Sequence, residues 1–189
     1  MILSNTAIVE AIKEGRLRIG SLDGTHDAGS QPFNTTAVDL HLGNDITALR
    51  AAPAAFDLRS RGISKYLADN SDRYAITPAQ PFCLGPATLV LASTRERVEF
   101  PIIPGRPALS ARVEGRSSVA RCGILVHFTA PTIHAGFEGT ITLEIMNLGP
   151  LSFLLFPDMA ICQLIIEQVA GEVVPTANQF IGQTTPTGQ

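Results

Sequence analysis

Apolar and polar residues alternate along this chain with two different periods. Near the start, Ile8, Ala11 and Ile12 recur at helical spacing, so a helix is expected from Ser4 as its cap through about Glu14, closed by Gly15. Beyond it the period shortens to two. "FNTTAVDLHLGN", "ATLVLASTRERVEF" and "GTITLEIMN" are short alternating runs bounded by Gly, Pro, Asn and Asp. Many such runs with frequent turn residues predict an all-β sandwich or barrel. One more short helix is expected around Ser64 to Leu67.

In "GTITLEIMN" the alternation sends Ile141, Leu143 and Ile145 to one face and Thr142, Glu144 and Met146 to the other. The first face belongs in a core. The second carries a lone carboxylate, which reads either as an ordinary solvent-facing strand residue or as a pocket group used for proton transfer. "CGILVHFTA" alternates too, with Ile124, Val126 and Phe128 set against Leu125, His127 and Thr129. His127 is read there as a packed strand residue rather than a ligand. "PTIHAGFEG" is a bend, with Gly136 and Gly139 permitting tight turns. Segments adjacent in sequence are usually adjacent in space, so these pieces are expected to face one cavity.

Composition sharpens the class. The chain has 189 residues, 45% hydrophobic and 16% charged, which fits one globular domain over residues 1–175 rather than a disordered chain. Residues 176–189, "TANQFIGQTTPTGQ", are polar with little to pack, and form a tail expected to be either frayed or a lid over a site. Fourteen Lys and Arg stand against 17 Asp and Glu, so no basic face marks a nucleic-acid partner. No secretory leader or bilayer-length apolar run is seen, and no membrane role is expected. Cys83, Cys122 and Cys162 are three widely spaced cysteines, which fits a reducing cytoplasm and no disulfide framework.

Against this acidic background, "EGRSSVARCG" gathers two arginines around two serines. Such a cluster can bind a small anion whatever the net charge of the chain. Other chemistries lack their motifs. The H-x-E and P-C-x-x-C signature of zinc nucleobase deaminases is absent, as are the P-loop, G-x-G-x-x-G and G-x-S-x-G. His26, His41, His127 and His134 show no metal-ligand spacing.

Taken together, "EGRSSVARCGILVHFTA", "AGFEGTITLEIMNLG" and "FPDMAICQLIIEQ" resemble the dCTP deaminases of the dUTPase-like superfamily. "NTTAVDLHLG" resembles that family's Val-Asp-x-x-Leu-Gly segment, and "FIGQTTPTG" its closing Gly-Gln motif. The resemblance implies a distorted, jelly-roll-like β-barrel with a short N-terminal helix, a homotrimer, and active sites at subunit interfaces. It implies zinc-independent hydrolysis of dCTP to dUTP and ammonia, with magnesium bound through the nucleotide's phosphates. Glu144 would be the general acid/base, with Ser117 and Arg121 beside the catalytic water. Arg116 and Ser118 would hold phosphate oxygens, Thr129 and Ala130 would read the cytosine edge, and Thr142 and His134 would line the nucleotide site. Gln179 and Gln183 belong to the closing tail. Three positions depart from the family pattern: Thr132 replaces an arginine, His134 an aspartate that contacts the deoxyribose, and Gln179 a lysine. The aspartate also supports attack on phosphate in relatives that hydrolyse dUTP. A dUTP diphosphatase or bifunctional enzyme is therefore the weaker enzymatic alternative. A non-catalytic nucleotide-binding trimer is the alternative of another class.

Overall fold

Ser4 accepts a hydrogen bond from the amide of Ala7 and starts helix α1, Asn5–Lys13, which Glu14 ends before Gly15 turns away at φ +70°. Ile8, Val9, Ala11 and Ile12 are its buried face. The helix expected from the spacing is thus present with its cap. The computed structural model describes residues 1–52 and 55–175; the tail expected over residues 176–189, with Gln179 and Gln183, lies outside them.

After α1 come strands β1 (Arg18–Ile19), β2 (Phe33–Asn34) and β3 (Ala37–Leu49), then helix α2 (Ile63–Asp69). Strands β4 (Ser71–Ala75), β5 (Phe82–Leu84), β6 (Leu89–Glu99) and β7 (Leu109–Gly115) follow, and then the one-turn helix α3 (Ser117–Ala120). The chain continues through β8 (Ile124–Val126), β9 (Thr132–Ile133), β10 (Glu138–Asn147), β11 (Phe153–Leu155) and β12 (Ala160–Gln168). The main sheet runs β8-β10-β6-β3-β12-β7-β9, with antiparallel neighbours throughout, and β1, β2 and β4 add to its sides. Strands β5 and β11 form a separate ribbon.

The sheet has to roll. Strands β8 and β9 stand at opposite ends of the order, yet only residues 127–131 join them. A flat sheet would separate seven strands by about 29 Å at ~4.8 Å per step. The connecting chain, fully extended, reaches about 20 Å. Closure is visible in its hydrogen bonds: the amide of His127 donates to the Glu144 carbonyl on β10 (2.8 Å), while the Pro131 carbonyl accepts from the Val113 amide on β7 (2.9 Å). The result is a mostly β, curled half-barrel, as the alternating runs predicted.

Inside the curl the alternating residues meet. Val38, Leu40 and Leu42 of β3, Val90, Ala92 and Val98 of β6, and Leu164 and Ile166 of β12 join one core with α1. Ile141, Leu143 and Ile145 of β10 are all essentially buried, as their alternation required. Each such side chain contributes roughly 1.5–3 kcal/mol relative to exposure. Cys162 lies in this core, and burial drives its thiol pKa far above the ordinary range. Iodoacetamide applied to the native protein is therefore expected to leave Cys162 unmodified; a labelled Cys162 peptide after digestion would refute that.

Candidate active site

Strand β10 is paired on both sides, with β6 along most of its length and with β8 near its end. Glu144 sits opposite Leu91 of β6, on the face turned away from Leu143 and Ile145. Its neighbours on that face, Thr142 and Met146, are half-buried like itself. A carboxylate in such a place needs a partner. It has one in His127, whose Nδ1 is 3.0 Å from Glu144 Oε2.

His127 reaches that position by leaving the strand. Strand β8 ends at Val126, and His127 takes a left-handed backbone with φ +57°. The two-residue alternation expected across "CGILVHFTA" therefore stops there. Phe128, placed on the buried face by that pattern, is 45% exposed, while His127 is 8% exposed. The burial expected for His127 is correct; its partner was not foreseen. No motif signals the pair, because its two members lie on different segments and are joined only when the sheet closes. The second ring nitrogen, Nε2, lies 2.9 Å from the carbonyl oxygen of Ala130.

The electrostatics of Glu144 follow from this geometry. Burial pushes its carboxyl pKa up, but contact with the His127 ring and the ring's charge together outweigh burial, leaving the carboxyl below its ordinary value. Glu144 is thus held as a carboxylate with one oxygen, Oε2, shielded from solvent.

"EGRSSVARCG" forms the end of β7, helix α3 and the turn that follows. The carbonyl of Arg116 accepts from the amides of Val119 and Ala120, and that of Ser117 accepts from the amide of Arg121. Arg116 is anchored from behind. Its guanidinium lies 3.2 Å from Asp39 Oδ2 and donates to the Ala160 carbonyl. Asp39 is itself buried and accepts from Asn34 and Gln163 at its other oxygen. Asp39 is a second site-supporting residue that the sequence did not single out, although it is the acid of the "VDL" segment. Ser117, Ser118 and Arg121 are exposed. Among the described residues, no hydrogen bond or ion pair connects any of these three side chains to Glu144 or His127.

The turn is fixed by two glycines. Gly123 has φ +81°, and a Cβ there would lie 2.8 Å from the Cα and nitrogen of Gly149. Across this contact the Leu148 amide donates to the Gly123 carbonyl. Gly123→Ala combines left-handed strain of about 1–2 kcal/mol with a backbone clash. Its thermal midpoint is expected to fall by at least about 2–8 °C in calorimetry, and an unchanged midpoint would refute this packing account.

Thr129 and Ala130 are exposed in the closing segment, and Thr132 and Ile133 follow in β9, opposite Arg112 and Ala111 of β7. The bend expected at "PTIHAGFEG" is present: Gly136 takes φ +85°, and the Phe137 amide donates to the His134 carbonyl. The His134 side chain is exposed.

The fold and site define a class of protein. It is a rolled antiparallel β structure with a carboxylate–imidazole pair fit for moving protons and a separate cation–hydroxyl turn fit for holding an anion. A family model described as dCTP deaminase-like matches residues 2–169, and the chain belongs to that family. A curated dCTP deaminase of Thermomicrobium roseum is 34% identical over 98% of this chain and 91% of its own length. A dUMP-forming dCTP deaminase of Methanothermobacter thermautotrophicus is 33% identical over the same shares. Among solved structures, the 2'-deoxycytidine 5'-triphosphate deaminase of Agrobacterium tumefaciens superposes with a TM-score of 0.63 at 20% identity. That match covers 87% of this chain and 47% of the other, and it supports the fold.

Proposed function

We propose that this protein hydrolyses dCTP to dUTP and ammonia. The observation that carries the reading is the half-buried, ionised Glu144, paired at one oxygen to His127, in a chain of the dCTP deaminase-like family. Deamination needs one group that both takes and returns protons. In the proposed reaction a water oxygen bonds to C4 of cytosine while Glu144 accepts one of its protons and passes it to N3. The hydroxyl of the tetrahedral adduct then gives its proton, again through Glu144, to the departing amino group. The C4–N bond breaks, ammonia leaves, and a uracil carbonyl remains.

The other residues receive roles by their chemistry. Arg116, held by Asp39, and Ser118 offer charge-assisted and neutral hydrogen bonds to phosphate oxygens. Backbone groups of Thr129 and Ala130 are assigned to the cytosine edge, Thr142 and His134 to the nucleotide's sugar side, and Gln179 and Gln183 to closure over the phosphates. Magnesium enters with the substrate. Its ligands are assigned to the oxygens of the triphosphate, the hard donors that magnesium prefers.

Among the described residues no hydrogen bond or ion pair joins the Ser117 or Arg121 side chain to Glu144, and we assign both to the site of a neighbouring copy in a homotrimer. Exposed Leu125, Leu148, Leu151 and Leu154 support association, since they leave apolar surface that a partner copy would cover. No helix among the described residues is long and apolar enough to cross a membrane. We place the enzyme in the cytoplasm, where unpaired cysteines are stable.

Incubation with dCTP and magnesium tests the proposal: ammonia and dUTP should appear in equal amounts. Bound dCTP without turnover would instead establish a non-catalytic nucleotide-binding protein. A second reading has its own support, because several relatives carry the name dUMP-forming. His134, in place of the family's aspartate, favours dUTP as the final product. Pyrophosphate released from dUTP would reverse that preference.

A further inference from the structure

The geometry points to His127 as the positioning residue of Glu144: as an imidazolium it clamps Oε2, leaving Oε1 as the oxygen that exchanges protons with substrate and water.

The protonation of the ring follows from its partners. A carbonyl oxygen can only accept, so His127 Nε2, 2.9 Å from the Ala130 carbonyl, carries a hydrogen. A neutral ring has no second one. Nδ1 would then present a lone pair to a carboxylate oxygen 3.0 Å away. Both atoms are buried, and neither has a well-aligned hydrogen-bond partner among the described residues. Two buried acceptors facing each other at this distance leave both unsatisfied in a low-dielectric site, which is destabilising. One additional proton removes the conflict. Placed on Nδ1, it makes an imidazolium–carboxylate contact with no net charge. Catalytic contacts that are imperfectly aligned in a free enzyme tighten when substrate arrives.

The backbone reinforces the clamp. The same residue donates its amide hydrogen to the Glu144 carbonyl at 2.8 Å, so His127 grips both the main chain and the side chain of Glu144. The left-handed φ of +57° aims the ring back at the strand instead of along it. On the packed elements, Leu91 of β6 faces Glu144, while Thr142 and Met146 flank it on β10. Among the described residues, His127 is the one other ionisable side chain that acts on Glu144.

Two measurements test the inference, and only the first rests on the proposed deamination. The pH dependence of kcat is compared in wild type, His127→Asn and His127→Gln. The asparagine amide nitrogen stands near the Nδ1 position and keeps a donor to Oε2 without the charge. Its kcat should fall about 10- to 100-fold with KM for dCTP within about threefold. Its acidic limb should move to higher pH, because burial still raises the Glu144 pKa once the positive charge is gone. Glutamine reaches the Ala130 carbonyl but not Oε2, and should lose more. An asparagine variant whose acidic limb coincides with wild type would overturn the proposal, whatever its rate. The second measurement is ¹⁵N NMR of wild-type histidine rings, with His127 identified as the ring perturbed by Glu144→Gln. Protons on both nitrogens at neutral pH are expected. A bare Nδ1 or a bare Nε2 would overturn the proposal even if the variants fail to fold or dCTP is not the substrate.

Discussion

Glu144→Gln should eliminate deamination while leaving dCTP bound. The substitution keeps the shape of the side chain and its place between β6 and β8, but an amide cannot accept a proton from water at neutral pH. Positioned general acid–base groups contribute roughly 10²–10⁴-fold each, and here one group would serve both transfers. A loss of at least about 10³ in kcat is therefore the expected result, read as ammonia release at saturating dCTP. Calorimetric titration should find the dissociation constant within about threefold of wild type, because the proposed phosphate and sugar contacts are assigned to other residues. Turnover within about tenfold of wild type would remove Glu144 from the proton-transfer role. Lost binding would show instead that the residue is needed to build the pocket.

Mixing two inactive proteins should restore activity. Arg121→Ala removes a cation from the exposed turn after α3, and Glu144→Gln removes the proposed base from β10. Each alone is expected to be nearly inactive. If a site takes Glu144 from one copy and Arg121 from its neighbour, a co-refolded mixture contains sites with both groups intact. With equal amounts and random assembly, about a quarter of sites meet that condition, so about a quarter of wild-type turnover should return. Separately refolded proteins combined afterwards should stay inactive until subunits exchange. A co-refolded mixture with no recovered turnover would place both groups in one chain and defeat the interfacial assignment. This experiment is sensitive because it reads a gain from almost nothing, which no general loss of stability can imitate.

Much of the fold was legible because its elements obey local rules. The cap at Ser4, the buried stripe of α1, and the alternation that buries Ile141, Leu143 and Ile145 all depend on residues close together in sequence. Glu144 was visible for the same reason, as the charged member of an otherwise regular strand. His127 was visible only as a buried histidine. Its meaning depends on a left-handed residue that ends β8, and no periodic pattern carries that information. Asp39 was hidden similarly: its importance lies in the buried contacts that Arg116, Asn34 and Gln163 make with it from three other segments. The exposure of Ser117 and Arg121 also had no sequence signal, because the family motif names both residues without showing which surface they face. Motif and geometry therefore inform different halves of the site: the motif names the groups, and the closed sheet decides which of them meet.

The short segment that joins the two ends of the sheet has a kinetic consequence. Residues 127–131 hold the ring that grips Glu144, and they take this course only when distant strands have already come together. Pairings between residues far apart in sequence form slowly, because the loop-closure entropy is spent before the contacts are gained. The protein therefore carries its own completion signal. During refolding, strand content should return before catalytic competence, and the delay between them times the last closure of the barrel.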